Sequence, residues 1–406
     1  MQKFEKHSPV VVTEVTTKHE LRQFMQYPNR LYADNPNYIP SFYGDDLSDW
    51  TPGKNPAFDY CEARCWLARR DGEIVGRIGA ILSHKANDKF GTHRMRFSQV
   101  DFVDDSEVSA ALFGTVERWA REKGCDQVHG PLGFTDMDRE GMLVEGFDRR
   151  SLFFTNYNAP YYLEHLTRLG YRKDVDWIEY RITVPEPGGA EAERLHKLSE
   201  FILKRKHLHV ATVHHKSEYG PFVRQVFELV SAAYAPLYGV VELSDEQIER
   251  YANKFIPLVD PDFVCFVVDE QEKLVAFGVT ALDPSVALKH SDGRLFPFGW
   301  AGVLNDLHHS DTLIMLLTAV RPDLQAEGIN AVMMDHVCQS CNRHGVRFAE
   351  TGPMLELNDH ILAQWKRLEK EQHKRRRCFI KDLDHDVNAA NAAAAQTETP
   401  ETESAE

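Results

Sequence analysis

The sequence predicts an α/β protein built from two similar halves. Two hairpins support this prediction, because each joins two apolar runs through a short polar turn. The first joins residues 65–69 to residues 74–82 through Asp71-Gly72, and Asp-Gly between apolar runs is a strong hairpin signal. The second joins residues 263–268 to residues 274–282. In each half, the hairpin is followed by a strand, a helix that ends at a glycine, and another strand. The chain therefore has an internal duplication of elements.

The first half contains one clear amphipathic helix. It is expected at residues 106–123, with Val108, Leu112 and Val116 along one side and Gly124 at its end. Strands are expected before and after this helix. The Gly- and Asp-rich residues 130–146 then predict a loop.

The second half contains a strand-loop-helix unit suited to binding an anion. Apolar residues 313–320 predict a buried strand, which Arg321-Pro322 ends because proline has no amide hydrogen. A polar loop at residues 323–327 leads through Gly328 into a helix over residues 328–343. The first turn of a helix carries unpaired amides and favours negative charge, and a glycine lets a bulky anion approach the backbone. The unit therefore predicts a pyrophosphate site formed by main chain.

Composition narrows the class of protein. The 406 residues suffice for two domains, and 43% hydrophobic with 27% charged content is typical of a globular protein. No apolar run approaches the ~20 residues of a membrane-spanning helix. Seven cysteines, an odd number in a long chain, favour a reducing cytoplasm over a disulfide framework. The net charge of −15 argues against nucleic acid as the main partner.

The polar loop that leads into Gly328 resembles the acyl-CoA loop of the GNAT acetyltransferase superfamily. The matching residues are Gln325-Ala326-Glu327-Gly328-Ile329-Asn330, and Val320-Arg321-Pro322 before them matches the usual Val-x-Pro entry. Asn330 departs from the family, which has Gly or Ala there. Two segments resemble the final motif of GNAT domains. In the first half, Asn156 or Asn158 with residues 165–171 resembles it, and in the second half Asn358 with residues 365–368 resembles it more loosely. The resemblance implies two GNAT-like domains, each a mixed, mostly antiparallel twisted sheet flanked by helices.

The resemblance also sets the expected domain boundaries. Residues 1–184 form the N-terminal domain, and the Pro- and Gly-rich residues 185–190 form a linker. Residues 191–385 form the C-terminal domain with the acyl-CoA loop. Residues 386–406 are expected to be a disordered tail. At the place of the loop, the N-terminal domain carries Asp104, Asp105 and Glu107, which would repel a pyrophosphate, so this domain is expected to lack cofactor binding.

By resemblance, the chain is an acyl-CoA-dependent N-acyltransferase that uses direct attack, with acetyl transfer to an amine as the expected reaction. Acetyl-CoA or another acyl-CoA is the co-substrate, and no metal is expected. The residues expected to bind the cofactor are Ala319, Val320, Gln325, Ala326, Glu327, Gly328, Ile329, Asn330, Ala331 and Asn358.

The expected catalytic residues are a base and an acid. Many GNAT enzymes use a glutamate acting through water as the base, and Glu350 is the candidate here, with a solvated strand-end glutamate as the alternative. The usual acid is a tyrosine, but Leu166 and Trp365 occupy its positions in the two halves. Tyr161 is the candidate substitute, and its neighbours Tyr157 and Tyr162 remain open as acceptor-pocket, acid or packing residues.

The expected partner is a small-molecule or peptide amine, and the chain is expected to be a monomer or homodimer. Neither a nucleic acid nor a membrane partner is expected, and the expected location is the cytoplasm. A non-catalytic acyl-CoA-binding or regulatory module is the first alternative. A Fem-type transferase using aminoacyl-tRNA is the second, disfavoured by the acidity of the chain. Residues 374–377, Lys-Arg-Arg-Arg, are interpreted as a solvated run, and Cys338 and Cys341 as small buried residues.

Overall fold

A computed structural model describes residues 8–383 of the chain. The expected tail, residues 386–406, lies outside the described residues. The strands are β1 Val11–Glu14, β2 Cys61–Arg70, β3 Glu73–Ser83, β4 Arg94–Phe102, β5 Gln127–Gly130, β6 Met142–Glu145, β7 Arg172–Thr183, β8 His209–Val210, β9 Val264–Val268, β10 Leu274–Leu282, β11 Thr312–Val320, β12 Phe348–Thr351, β13 Met354–Leu355 and β14 Lys370–Asp382.

Helices flank these strands in both halves. They are α1 Lys18–Leu31, α2 Tyr43–Asp49, α3 His84–Phe90, α4 Ser106–Glu122, α5 Tyr161–Arg168, α6 Ala190–Lys206, α7 Gly220–Tyr234, α8 Asp245–Phe255, α9 Ser285–His290, α10 Gly299–His309, α11 Ile329–His344 and α12 Asp359–Ala363.

All the strands belong to one mixed sheet. Its order is β1-β2-β3-β4-β5-β14-β7-β12-β11-β10-β9-β8, with β6 paired to β14 and β13 paired to β7. Among the described strands, only β4–β5 and β11–β12 pair in parallel. The predicted fold class, α/β with mixed and mostly antiparallel sheet, is confirmed.

Local sequence signals account for the elements that were predicted best. The β2–β3 turn has positive φ at both Asp71 (51°) and Gly72 (85°), the conformation that favours Asp-Gly in two-residue hairpins. Helix α4 begins after Asp105, whose side chain accepts hydrogen bonds from the amides of Glu107 and Val108. Helix α11 ends at Gly345, which adopts a left-handed conformation with φ of 71°.

The two halves exchange their last strands. Strand β14, from the end of the second half, lies between β5 and β7 of the first. In turn β7, from the end of the first half, pairs with β12 of the second half. The boundary predicted at residues 185–190 stays a prediction, but the sheet runs through both halves without a break.

The basic run at residues 374–377 is not the solvated segment that was predicted. It belongs to β14, which begins at Lys370, after helix α12 has ended at Ala363. Lys374 and Arg376 are almost completely buried in the middle of the sheet. Pairing with acidic strand residues explains this burial, because charged side chains are rarely buried without a partner.

The buried charges form a network across three strands. The guanidinium of Arg376 donates to a carboxylate oxygen of Glu179 on β7. The Lys374 Nζ lies 3.4 Å from a Glu179 oxygen and 3.2 Å from a Glu350 oxygen on β12. Burial by itself would raise the pKa of Glu179, but the charges of Arg376 and Lys374 outweigh burial and lower it. The network therefore stabilises the fold only while its acidic and its basic side chains are both charged.

Removing one acidic member should leave a buried cation without its partner. Glu179→Gln is expected to lower the free energy of unfolding by roughly 3–5 kcal/mol, measured by urea unfolding. Glu193→Gln is the matched control, since Glu193 forms an exposed ion pair with Lys197 at 3.3 Å and should change stability by less than about 1 kcal/mol. Equal effects of the two substitutions would contradict a structural role for the network.

Candidate functional site

Two parallel strands diverge in the second half and open a gap in the sheet. Strands β11 and β12 pair over Thr312–Met315 and Phe348–Thr351 only. Beyond Met315, β11 continues to Val320 while it remains paired with β10. The backbone groups of this part of β11 that face the gap have no strand partner, so the gap is a place where an extended ligand can bind between strands.

The predicted anion loop lies at the end of β11. Ala326 and Gly328 adopt left-handed conformations with φ of 64° and 85°, and helix α11 begins directly after Gly328. The side chain of Gln325 donates to the carbonyl of Val320 at 3.3 Å, which ties the loop to the strand. The amides of Ile329 and Asn330 are the first of the helix and precede any intrahelical acceptor.

The first cavity, called the proximal cavity, lies in the gap beside α11. Its volume is about 270 Å³. Helix α11 contributes Asn330, Met333, Met334, Val337 and Cys338, and the diverging strands contribute Met315–Thr318 and Thr351. Asn358, at the start of α12, lies on the far wall. Most of the wall is apolar, as in pockets that bind hydrocarbon-rich ligands.

The second cavity, called the distal cavity, lies between β9–β11 and the helices α7 and α8. Its volume is about 260 Å³. Its apolar lining is Met137, Phe154, Val223, Val226, Phe227, Ala252, Phe255, Ile256, Val259, Val264 and Phe266. The two cavities share a wall that includes Tyr234, Val279, Leu316, Leu317, Gly352 and Pro353. The two cavities are therefore adjacent.

Two carboxyl groups from the first half lie in this shared wall. Asp136 and Glu140 belong to the loop after β5 and line both cavities. Across residues 8–383, neither group forms an ion pair, although most buried carboxylates have a cationic partner. Burial raises the pKa of Asp136 to about 6. Burial, together with the charge of Asp136, also raises the pKa of Glu140 well above its ordinary value. Burial therefore favours the protonated form of both carboxyls relative to solvated ones.

Tyr234 places a hydroxyl group in the same wall. It donates a hydrogen bond of 2.7 Å to the carbonyl of Thr318, on the part of β11 that has separated from β12. Burial raises the pKa of Tyr234 to about 12, so this hydroxyl keeps its proton at neutral pH. A neutral phenol can donate a hydrogen bond to a developing thiolate and relay a proton to it.

A separate cluster of His129, Asp174 and Cys378 has metal-like spacing. The hydroxyl of Tyr238 lies among these three side chains, 3.0 Å from the histidine Nδ1, 2.6 Å from the carboxylate and 3.4 Å from the sulfur. Burial lowers the pKa of His129 to about 4, which keeps the ring neutral. The tyrosine thus satisfies the groups that would otherwise bind an ion.

The residues expected to bind the cofactor lie in one region of the structure, but only some of them line the proximal cavity. Asn330 and Asn358 both line the proximal cavity. The others lie at the end of β11, in the loop or in the first turn of α11. They are Ala319, Val320, Gln325, Ala326, Glu327, Gly328, Ile329 and Ala331. Their role in binding acyl-CoA stays a prediction.

Glu350 lies on the opposite side of β12 from the cavities. Its neighbours Ala349 and Thr351 line the proximal cavity, whereas the Glu350 carboxylate is held by the charge network. Besides Lys374, it has Arg181 and His373 at 3.8 Å. The expectation of a glutamate facing the cofactor cleft is therefore not met, and its role as general base stays a prediction that this geometry does not favour.

Tyr161 belongs to the first half and lines neither cavity. Its hydroxyl donates to the carbonyl of Phe102 at the end of β4. Tyr162, beside it, accepts from the amide of Phe102 at 2.7 Å and contacts the Tyr32 hydroxyl at 2.8 Å. In the first half, β4 and β5 also diverge, but these aromatic side chains fill the space, and Asp105 caps the helix that follows. This arrangement favours the expectation of a first half without cofactor binding.

Sequence reasoning missed Asp136, Glu140 and Tyr234. The first two lie in a segment that is recognisable only as a Gly- and Asp-rich loop, and loop carboxylates are usually solvated. Their position in the cavity wall depends on the packing of the first half against the second, which no local pattern reports. Tyr234 is one of several aromatic residues on an amphipathic helix, and packing is the ordinary role of such a residue.

No protein-family model matches the chain. Protein YghO of Escherichia coli is 27% identical over 379 residues, covering 92% of this chain and 95% of that protein. A bacterial ceramide synthase of Caulobacter vibrioides is 28% identical over 300 residues, covering 72% of this chain and 75% of that protein.

Two solved structures share the fold at low sequence identity. A tandem GNAT protein from the clavulanic acid biosynthesis pathway superposes with a TM-score of 0.53, 14% identity, and coverage of 92% of this chain and 99% of that one. A glucosamine N-acetyltransferase region of a fungal multi-domain β-N-acetylglucosaminidase superposes with a TM-score of 0.52 and 10% identity, covering 92% of this chain and 38% of that one. The chain therefore has a tandem GNAT-like fold, as its sequence predicts.

The anion loop can be tested with two glycines at opposite ends of α11. Gly328→Leu should abolish CoA binding measured by calorimetry, because its Cβ would meet the Ile202 side chain at 2.9 Å and displace the loop whose amides are expected to hold the pyrophosphate. Gly345→Leu is the matched control: it introduces the same left-handed strain at the far end of the helix, where a Cβ would meet no atom within 4 Å. Similar losses of affinity in both variants would contradict the loop assignment.

Proposed function

We propose that the protein is an acyl-CoA-dependent N-acyltransferase whose substrates carry long hydrocarbon chains. The observation that carries this proposal is the pair of unpaired carboxyls, Asp136 and Glu140, in the common wall of two apolar cavities. The GNAT-like fold supports the acyl-transfer chemistry. The name of the Caulobacter relative, a ceramide synthase, supports a lipid substrate.

The second half supplies the acyl-CoA site in this proposal. The amides around Gly328 hold the pyrophosphate, and the pantetheine arm extends along the unpaired part of β11 towards the shared wall. The side chains of Asn330 and Asn358 lie on this path and can hydrogen bond to the amides of the arm. The thioester then reaches the level of Tyr234, close to the carboxyl pair.

The carboxyl pair recognises the amine. An ammonium group entering an apolar cavity loses its hydration, and an unpaired carboxylate there compensates for that loss. Because burial raises their pKa values, Asp136 and Glu140 also accept a proton from the ammonium more readily than solvated carboxylates do. The amine is thereby held and activated by the same groups.

The reaction then proceeds by direct attack. The ammonium transfers one proton to the carboxyl pair, and the neutral nitrogen attacks the thioester carbonyl carbon to form the C–N bond. The C–S bond breaks, and the thiolate takes a proton from the Tyr234 hydroxyl. The proton lost by the nitrogen as the amide forms returns to that tyrosine through the site. The products are an amide, free CoA thiol and one proton bound by a carboxylate.

The cavities determine the class of substrate. Both are lined mainly by apolar side chains, and their position on either side of the carboxyl pair provides room for hydrocarbon on both sides of the new amide bond. An acetyl group would leave most of this apolar surface uncovered. A long-chain acyl group and a long-chain amine would cover it, so lipid substrates are favoured over the acetyl transfer expected from the sequence.

Removing the basicity of the carboxyl pair should stop turnover while acyl-CoA binding persists. In the double variant Asp136→Asn/Glu140→Gln, amide formation from a long-chain acyl-CoA and a long-chain amine should fall by roughly 10²–10⁴-fold. Asp148→Asn is the matched control, because this exposed carboxylate lies just beyond β6 and pairs with Arg149 at 3.6 Å. A double variant that turns over like the parent would show that these residues are not the base.

The same carboxyls give a stability test that is independent of activity. The folded pKa of Asp136, about 6, exceeds the ordinary value of 3.8, so the folded state binds more protons between these values. The contribution of Asp136 to the free energy of unfolding should therefore fall as pH rises from about 4 to about 6. Asp136→Asn is expected to raise stability above pH 6 by roughly 1–3 kcal/mol, measured by urea unfolding at pH 5 and pH 8. If Asp136→Asn changed the free energy of unfolding equally at pH 5 and pH 8, burial of the Asp136 charge would be contradicted.

Chain-length preference tests the role of the distal cavity. Val223→Trp adds bulk to its wall, so kcat/KM should fall at least tenfold for long-chain substrates and change little for short ones. Val11→Trp, on the exposed edge strand, is the control. If CoA binds but no amine is acylated with any chain length, the non-catalytic module is the better interpretation.

A further inference from the structure

A third cavity, called the junction cavity, lies where the first half meets helix α8 of the second half. Its volume is about 60 Å³. It shares Met137, Asp138, Phe154 and Phe255 with the distal cavity, so the two are adjacent. The rest of its wall is largely polar and includes Ser41, Asp46, Asp49, Ser98, Gln99, Arg139, Asn156 and Lys254. The apolar distal cavity therefore has a polar neighbour.

A bulge in β4 brings two consecutive residues, Ser98 and Gln99, to the junction cavity. Successive side chains of a regular strand point to opposite faces of the sheet. Here Gln99 adopts a left-handed conformation with φ of 46°, and the β3–β4 register shifts between Arg77 and Gly79. A bulge of this kind redirects side chains, and strained backbone of this kind is often found at functional sites. The bulge thus gives the cavity two polar side chains where a regular strand would give one.

The polar side chains from this bulge keep unused hydrogen-bonding groups. Ser98 is only 5% exposed, yet across residues 8–383 its hydroxyl takes part in no hydrogen bond. Buried hydroxyls are ordinarily paired, because burial without a partner costs free energy. Gln99 accepts from Arg77 at 3.0 Å through Oε1, which leaves its Nε2 as a donor. Asn156 donates to the Gly141 carbonyl at 2.9 Å through Nδ2, which leaves its Oδ1 as an acceptor.

The charged side chains of the junction cavity are already paired. Arg139 lies 2.6 Å from Asp46, and Lys254 lies 3.4 Å from Asp49. Asp138 accepts hydrogen bonds from two backbone amides, at 2.8 and 3.1 Å. Because the wall carries more carboxyls than cations, an anionic group such as a phosphate is disfavoured. The groups left for a ligand are neutral donors and acceptors, and a hydroxyl group can use both kinds.

The loop after β5 connects the junction cavity to the carboxyl pair. Asp136 lines the proximal and distal cavities, whereas Asp138 lines the distal and junction cavities. The two residues are separated by two steps along the chain, so their Cα atoms are at most about 7 Å apart. A polar group carried a few bonds from an ammonium at the carboxyl pair therefore falls within reach of the junction cavity.

We propose that the junction cavity binds a hydroxyl group of the acceptor amine, and that Ser98 recognises this hydroxyl. The inference rests on the proposed function, because it takes the position of the ammonium at Asp136 and Glu140 as its starting point. The acceptor class is then a long-chain amine with a hydroxyl on a carbon next to the one that carries nitrogen. The hydrocarbon chain occupies apolar space, and the hydroxyl replaces the partner that the Ser98 side chain lacks.

The test compares two amines that differ by one hydroxymethyl arm, 2-amino-1-dodecanol and undecylamine, each below its micelle-forming concentration. The measurements use the full chain, in which no helix of residues 8–383 has the length and hydropathy to cross a membrane. Calorimetry without acyl-CoA should show roughly tenfold tighter binding of the amino alcohol to the parent protein. Ser98→Ala should weaken binding of the amino alcohol roughly three- to tenfold and leave binding of undecylamine unchanged. The same selective loss should appear in kcat/KM when a long-chain acyl-CoA is added.

Ser199→Ala is the matched control, because Ser199 is an equally buried serine, 4% exposed, on α6 and outside the three cavities. It should keep the preference of the parent, and thermal unfolding should show both variants folded. Equal binding of the two amines to the parent would overturn the proposal and leave the junction cavity to water. Equal weakening of both amines by Ser98→Ala would also overturn it, as would tighter binding of 1,2-diaminododecane, which would assign the cavity to a cation. Selective binding without amide formation would support the hydroxyl site while contradicting the proposed reaction.

Discussion

Antiparallel pairing between β7 and β14 holds the two halves in one sheet, and the rest of the structure depends on it. The buried charges of Glu179, Lys374 and Arg376 lie on these two strands. Charges removed from water are tolerated only while each keeps its partner, so the strands cannot separate or shift in register without a large loss of stability. The relative position of the two halves is thereby fixed.

That fixed position creates the candidate site. The gap between β11 and β12 belongs to the second half, yet the carboxyl groups facing it, Asp136 and Glu140, come from the first. Residues of the loop after β5 line the cavity in this gap. In the first half, Tyr162 and its neighbours fill the corresponding gap between β4 and β5. The first half therefore contributes a wall to the site of the second half instead of forming a second copy of that site.

The elements predicted best from sequence were those with local signals. Asp71-Gly72 determines its hairpin by backbone conformation, and the strand, proline, Gly328 and helix around α11 lie within about thirty residues. The basic residues of β14 were interpreted as solvated, because a charge run is usually exposed. The burial of Arg376 is explained by Glu179, about two hundred residues earlier, together with the Asn156 carbonyl and the Thr155 hydroxyl. The carboxyl pair was missed for the same reason: its environment is formed by residues distant in sequence.

The exchange of last strands affects the order in which the protein can fold during synthesis. While the first half emerges from the ribosome, β5 and β7 lack the strand that lies between them, since β14 is nearly 190 residues further along the chain. Unpaired strand edges are sites of non-native association, and domains made early are exposed longest. Completion of the first half must therefore wait for the second, and the facing edges of β5 and β7 stay open to non-native pairing until β14 has been made.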